Sequence, residues 1–81
     1  MEPTKETYRA ATRFAARFNF DIVKYECKYK DWLAYYVTSK ALEGTCYGFP
    51  NFVIVRSDLR CRLSTPDEAL EIMAQRQNGE Q

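Results

Sequence analysis

The stretch Phe49-Pro50-Asn51-Phe52-Val53-Ile54-Val55-Arg56 decides the fold. Phe52 to Val55 is an unbroken apolar run, and three of its residues are β-branched. A run that is apolar on both parities predicts a strand covered on both faces. Pro50 stands ahead of it, where a missing N–H costs the ladder least. Ser57-Asp58 follows as a turn signal. This is the central strand, and the remaining segments pack beside it or onto it.

Downstream, Leu59 to Leu63 alternates Leu59, Cys61 and Leu63 with Arg60 and Arg62, the pattern of a half-exposed strand at an edge guarded by charge. Ser64-Thr65-Pro66-Asp67-Glu68 then places a hydroxyl at the N-cap, proline at the first helical position and an acid three residues after the cap. This is a capping box. The helix it opens runs to about Gln77, with Ala69, Leu70, Ile72 and Met73 as its apolar side. Asn78-Gly79 ends it, and residues 78–81 are expected to fray.

Upstream, Lys40 to Pro50 is a connection broken by Gly44 and Gly48. Before it, Val23, Tyr25, Cys27 and Tyr29 alternate with Lys24, Glu26, Lys28 and Lys30, which predicts a strand over 20–30 with one buried and one wet face. A second strand runs from Leu33 to about Ser39. A two-residue loop, Lys30-Asp31, puts Trp32, Ala34, Tyr36 and Thr38 on the face of Tyr25. A three-residue loop puts Leu33, Tyr35 and Val37 there instead, because a one-residue slip exchanges the faces. The second register buries the more apolar set and is the one expected. It leaves Tyr36, Ala34 and Trp32 beside Lys24 and Lys28.

Residues 4–18 predict the first helix. Thr4 can cap it, Glu6 suits the positive end of its dipole, and Asn19 tolerates the left-handed conformation that closes a helix. Tyr8, Ala11, Phe14, Ala15 and Phe18 recur at three- and four-residue steps and form the face expected to be buried. The whole reads as an α+β fold of order αββββα. It has a four-stranded, mostly antiparallel sheet made of two hairpins, with the N- and C-terminal helices both expected on one face.

Residues 1–81 make one small domain. Chains this short bury only about 60% of the surface the unfolded chain exposes. The five Phe, six Tyr and one Trp are how so small a core can be filled. The net charge of +1 gives no global field toward nucleic acid or an anionic membrane, so only local clusters can attract either. No apolar run is long enough to span a bilayer, and the polar start lacks the hydrophobic segment of a signal peptide.

Cys27, Cys46 and Cys61 are an odd set whose spacings match neither a redox pair nor a zinc ribbon. Reduced thiols and a cytoplasmic location are therefore expected. The chain has no histidine, which removes the commonest metal ligand and the usual general base. No enzyme activity, metal or cofactor is expected.

Two surfaces stand out. Lys5, Arg9, Arg13 and Arg17 follow one another at four-residue steps along the first helix. They form either a solvated face or a contact for phosphate or an acidic partner. Lys24, Lys28 and Lys30 lie beside Tyr36 and Trp32 on the expected outer face of the first hairpin, an arrangement that can stack bases or anchor a protein. Cys61, between Arg60 and Arg62, is expected to have a lowered thiol pKa. The leading expectation is a small non-catalytic module that binds a protein partner or a second copy of itself. The alternative is a nucleic-acid-binding domain that uses Lys24, Lys28, Trp32 and Tyr36 with Arg9, Arg13 and Arg17. A small enzyme or ligand-binding protein comes third.

Overall fold

The computed structural model describes residues 2–40 and 51–79. Helix α1 spans Lys5–Ala16, strands β1 to β4 span Ile22–Tyr29, Trp32–Thr38, Asn51–Val55 and Cys61–Leu63, and helix α2 spans Pro66–Gly79. The fold is α+β in the order αββββα, with one antiparallel sheet of strand order β1-β2-β3-β4. The connection over 41–50, with Gly44, Cys46, Gly48 and Pro50, lies outside the described residues, as does the end of the tail, 80–81.

The apolar run of β3 behaves as its composition dictates. Val53, Ile54 and Val55 are fully buried in the middle of the sheet. They are buried in two different layers. Val53 and Val55 join Leu33, Tyr35 and Val37 of β2 against Ala11 and Ala15 of α1. Phe52 and Ile54 join Ala34 against Ala69 and Ile72 of α2. The helices therefore cover opposite faces of the sheet, not the single face expected. The reason lies in the run itself. A strand apolar on both parities needs cover on both sides, and β2 is equally apolar on both parities from Leu33 to Val37.

The first hairpin joins features of both registers. Its loop is the two-residue one, with Tyr29 opposite Trp32 and a positive φ of 57° at Lys30. Yet Tyr25 pairs with Tyr35 and Val23 with Val37, so Tyr35 and Val37 share the face of Tyr25, the set that the three-residue loop would have placed there. A β-bulge between Tyr25 and Cys27 reconciles them. The extra residue switches the face on which later side chains emerge. Val23 and Tyr25 look toward α1, whereas Cys27 and Tyr29 pack with α2. Lys28 consequently leaves the face of Lys24 and emerges on the α1 side.

Both helix starts are fixed by reciprocal hydrogen bonds. At α1 the Thr4 hydroxyl accepts from the Thr7 N–H (3.2 Å), and the Thr7 hydroxyl accepts from the Thr4 N–H (2.8 Å). Thr7 thus fills the place that Glu or Gln usually takes in a capping box. Its one proton goes to the Thr4 carbonyl (2.9 Å), so the Tyr35 hydroxyl at 2.7 Å is the donor in their buried contact. The α1 end closes with Asn19 at φ 65°. The Phe20 N–H bonds to the Ala15 carbonyl and the Asn19 N–H to that of Ala16.

The buried line of α1 is Thr7, Ala11 and Ala15. Tyr8 and Phe18 remain 48% and 47% exposed on its flanks. The small side chains let the helix approach the sheet closely, so the broad aromatic face expected from periodicity is rotated to the shoulders. In α2, likewise, Ala69 and Ile72 are buried while Leu70 and Met73 stay exposed.

At α2 the Glu68 N–H donates to the Thr65 hydroxyl (3.2 Å) and the Thr65 N–H to the Glu68 carboxylate (2.9 Å), completing the expected capping box. Arg62 of β4 grips the same carboxylate with two bonds of 2.6 Å. That guanidinium, helped by the Thr65 N–H, holds the Glu68 carboxyl down at about 2. The folded pKa lies below the ordinary value of 4.5, so this stabilisation is complete above pH 4.5 and is lost as pH falls toward 2. Glu68→Gln should cost about 1–3 kcal/mol near neutrality. In urea titrations between pH 5 and 2, its deficit against the parent should shrink as the pH drops. A constant deficit contradicts the assignment.

Candidate binding site

The stripe on α1 is cationic and exposed, and its geometry follows from helical pitch. Each four-residue step advances about 40° around the axis. Lys5, Arg9, Arg13 and Arg17 therefore wind over the outer surface of the helix. They pass from the flank above Tyr25 and Tyr35 to the flank above the β3–β4 turn. Two grooves lie along these flanks. One is lined by Pro3, Thr4, Lys5, Tyr8, Arg9, Thr12, Tyr25 and Tyr35. The larger, of about 850 Å³, carries Arg9, Arg13 and Arg17 on the helix side and Arg60 across from them. Ala10, Phe14, Leu59 and Cys61 supply its apolar lining, and Glu6 is its one carboxylate.

Among the described residues, Arg9, Arg13 and Arg17 make no ion pair, although Glu6 lies in the same groove. Arg60 is held weakly by Asp58 at 3.4 Å, with its side chain 81% exposed. Guanidiniums without internal partners keep their donor forks for an external anion.

The turn that brings Arg60 to the groove begins with the Leu59 N–H bonded to the Arg56 carbonyl. Leu59 itself adopts φ 67° and is 41% exposed. A three-residue hairpin loop normally places glycine at this left-handed position. The expected strand 59–63 therefore begins only at Cys61.

The hairpin residues are dispersed. Trp32 is half-buried on the α2 face, with the guanidiniums of Arg56 and Arg62 at 5.7 and 5.5 Å from its ring. Its π-face is thus engaged within the molecule. Tyr36 is half-buried with its edge against Phe52 at 5.9 Å, and Lys24 is exposed opposite it across the strand pair. Lys28, on the other face of the sheet, pairs with Glu2, and this contact holds the Glu2 carboxyl below its usual range. Lys24, Trp32 and Tyr36 share a face, and Lys28 does not share it.

Beneath Trp32, the Tyr29 hydroxyl donates to Glu71, which pushes the phenol up to about 12. The Gln75 amide donates to the Lys28 carbonyl. These bonds tie α2 to β1 and make a polar seam of the fold.

Comparison with family models, curated proteins and solved structures finds no match to this chain.

The Cys61 thiol also differs from expectation. Burial pushes both Cys27 and Cys61 up, and the cations flanking Cys61 in sequence do not reverse this. Both are free thiols with weakened nucleophilicity. Among the described residues no group of three or more potential metal-ligating side chains comes together, and no helix is long and apolar enough to cross a membrane.

Phe14, Leu59 and Arg60 are groove residues that the sequence presents as parts of a helix face and an edge strand and not as parts of a site. Arg60 was visible as a strand charge, but no spacing shows that the β3–β4 turn meets α1.

Proposed function

We propose that the protein is a small non-catalytic binding module, working in the cytoplasm, whose contact surface is the groove between α1 and the β3–β4 turn. Its partner is a protein with an anionic surface. The observation that carries this reading is the convergence of Arg9, Arg13, Arg17 and Arg60 on one groove, with no intramolecular ion pair on the first three among the described residues. Positive charge at such density costs self-repulsion, which an anionic partner relieves. Self-association through this surface would oppose two sets of like charges. That favours a different chain as the partner.

Nucleic acid is the competing occupant. It can use the same arginines, but Trp32 and Tyr36, the two aromatics expected to stack bases, lie on the α2 face and cannot join them. The test uses poly-L-glutamate and a mixed-sequence single-stranded DNA, titrated at several salt concentrations. Poly-L-glutamate should bind with affinity that falls as salt rises. The exposed double substitution Arg13→Gln with Arg17→Gln should weaken it at least about tenfold while lowering stability in urea by no more than about 1–2 kcal/mol, the helix-dipole contribution of two terminal cations. Tighter binding of the DNA, or binding indifferent to the double substitution, contradicts the reading.

A further inference from the structure

We infer that the groove takes an extended acidic segment that carries an apolar side chain between its carboxylates. This rests on the binding reading above and narrows its partner class. The groove carries an apolar lining that charge does not explain. Phe14 is half-buried with the Phe18 ring tilted against it at 5.2 Å, and Phe18 is 47% exposed. Across the groove Leu59 is 41% exposed while its backbone occupies the left-handed region. Strained residues of this kind concentrate at binding sites. Here an apolar side chain stands at a turn position where glycine would be easier and a polar residue better solvated. The groove thus has two chemistries, with arginines on its walls and an apolar lining of Phe14, Leu59 and Cys61.

A purely polar polyanion satisfies only the walls. A segment of acid, apolar residue and acid satisfies both. The apolar side chain covers Phe14 and Leu59, and the flanking carboxylates reach Arg9, Arg13 and Arg17 on one wall and Arg60 on the other. From Arg9 to Arg17 the helix rises about 12 Å, the reach of about four extended residues. A short linear segment is therefore enough.

The test compares two capped peptides of equal length and charge, Glu-Glu-Leu-Glu-Glu and Glu-Glu-Ser-Glu-Glu, by calorimetry at one salt concentration. The leucine peptide should bind about tenfold more tightly, the gain expected from burying one aliphatic side chain. Leu59→Gly suits the left-handed backbone, which offsets the entropy it adds to the unfolded chain, so it should still fold, keep every arginine and erase that advantage. Equal affinities of the two peptides for the parent overturn the inference while leaving the anionic-partner reading intact. If neither peptide binds and the single-stranded DNA does, both fall, as they do if nothing binds.

Discussion

Tyr35→Ala should lower the stability of the protein by about 3–5 kcal/mol, the range for removing a large buried ring. Small domains hold about 5–15 kcal/mol in total, so much of the native population is at stake. Tyr35 is fully buried in the α1 layer. Its ring centroid lies 6.2 Å from that of Tyr8 and 5.5 Å from that of Tyr25, and its hydroxyl donates to Thr7. The substitution removes three connections together: the packing beneath α1, the edge contact to β1 and the bond that completes the Thr7 hydroxyl. Tyr35→Phe separates them. It keeps the ring and leaves one acceptor site of Thr7 unfilled, at about 1–2 kcal/mol. Urea denaturation of the pair checks both. A loss below about 1 kcal/mol for Tyr35→Ala contradicts the packing described here.

Ile54→Ala should cost about 2–5 kcal/mol, and the loss should belong to the α2 layer. Ile54 is fully buried with Ala34, Phe52, Ala69 and Ile72, while its neighbour Val55 packs toward Ala11 and Ala15. Residues sharing a packed layer couple by about 0.5–3 kcal/mol, and independent sites add. A double-mutant cycle of Ile54→Ala with Ile72→Val should therefore show coupling, whereas one with Ala15→Gly should be additive. Coupling to Ala15 and none to Ile72 would place the helices on one face after all.

The elements themselves were legible because their signals are local. Thr65-Pro66 and Glu68 specify a helix start through bonds that span three residues, and the run from Phe52 to Val55 specifies a doubly covered strand. The distribution of helices between faces was harder to read, because β1 looks half-wet. Its alternation of Val23, Tyr25, Cys27 and Tyr29 with charged residues suggests one buried row. The bulge before Cys27 divides that row between two layers. No residue in the stretch marks a bulge in the way a glycine often does. The balanced apolar content of β2 was the available clue, since Ala34 and Tyr36 need cover as much as Leu33 and Tyr35 do.

The site was half-legible for a related reason. The four-residue spacing of Lys5, Arg9, Arg13 and Arg17 places the charges on one side of a helix wherever the helix lies. The other wall depends on where the β3–β4 turn lands, and that follows from sheet order and from the layer α1 occupies. Leu59 gave no warning, because its left-handed backbone is set by the turn and not by its residue type. The Trp32 and Tyr36 surface looked open for the same reason that the fold looked two-layered. Once α2 covers that face, Arg62 and Arg56 close over Trp32.

The proposed contact surface is the arginine groove and not the hairpin face. Amide chemical shifts of the isotope-labelled protein, followed while the peptide Glu-Glu-Leu-Glu-Glu is added, test it most directly. Saturable shifts should fall on Arg9 to Arg17 and on Leu59 to Cys61, and Lys24, Trp32 and Tyr36 should stay still. Shifts centred on Lys24 and Tyr36, with α1 and the β3–β4 turn unmoved, would contradict it.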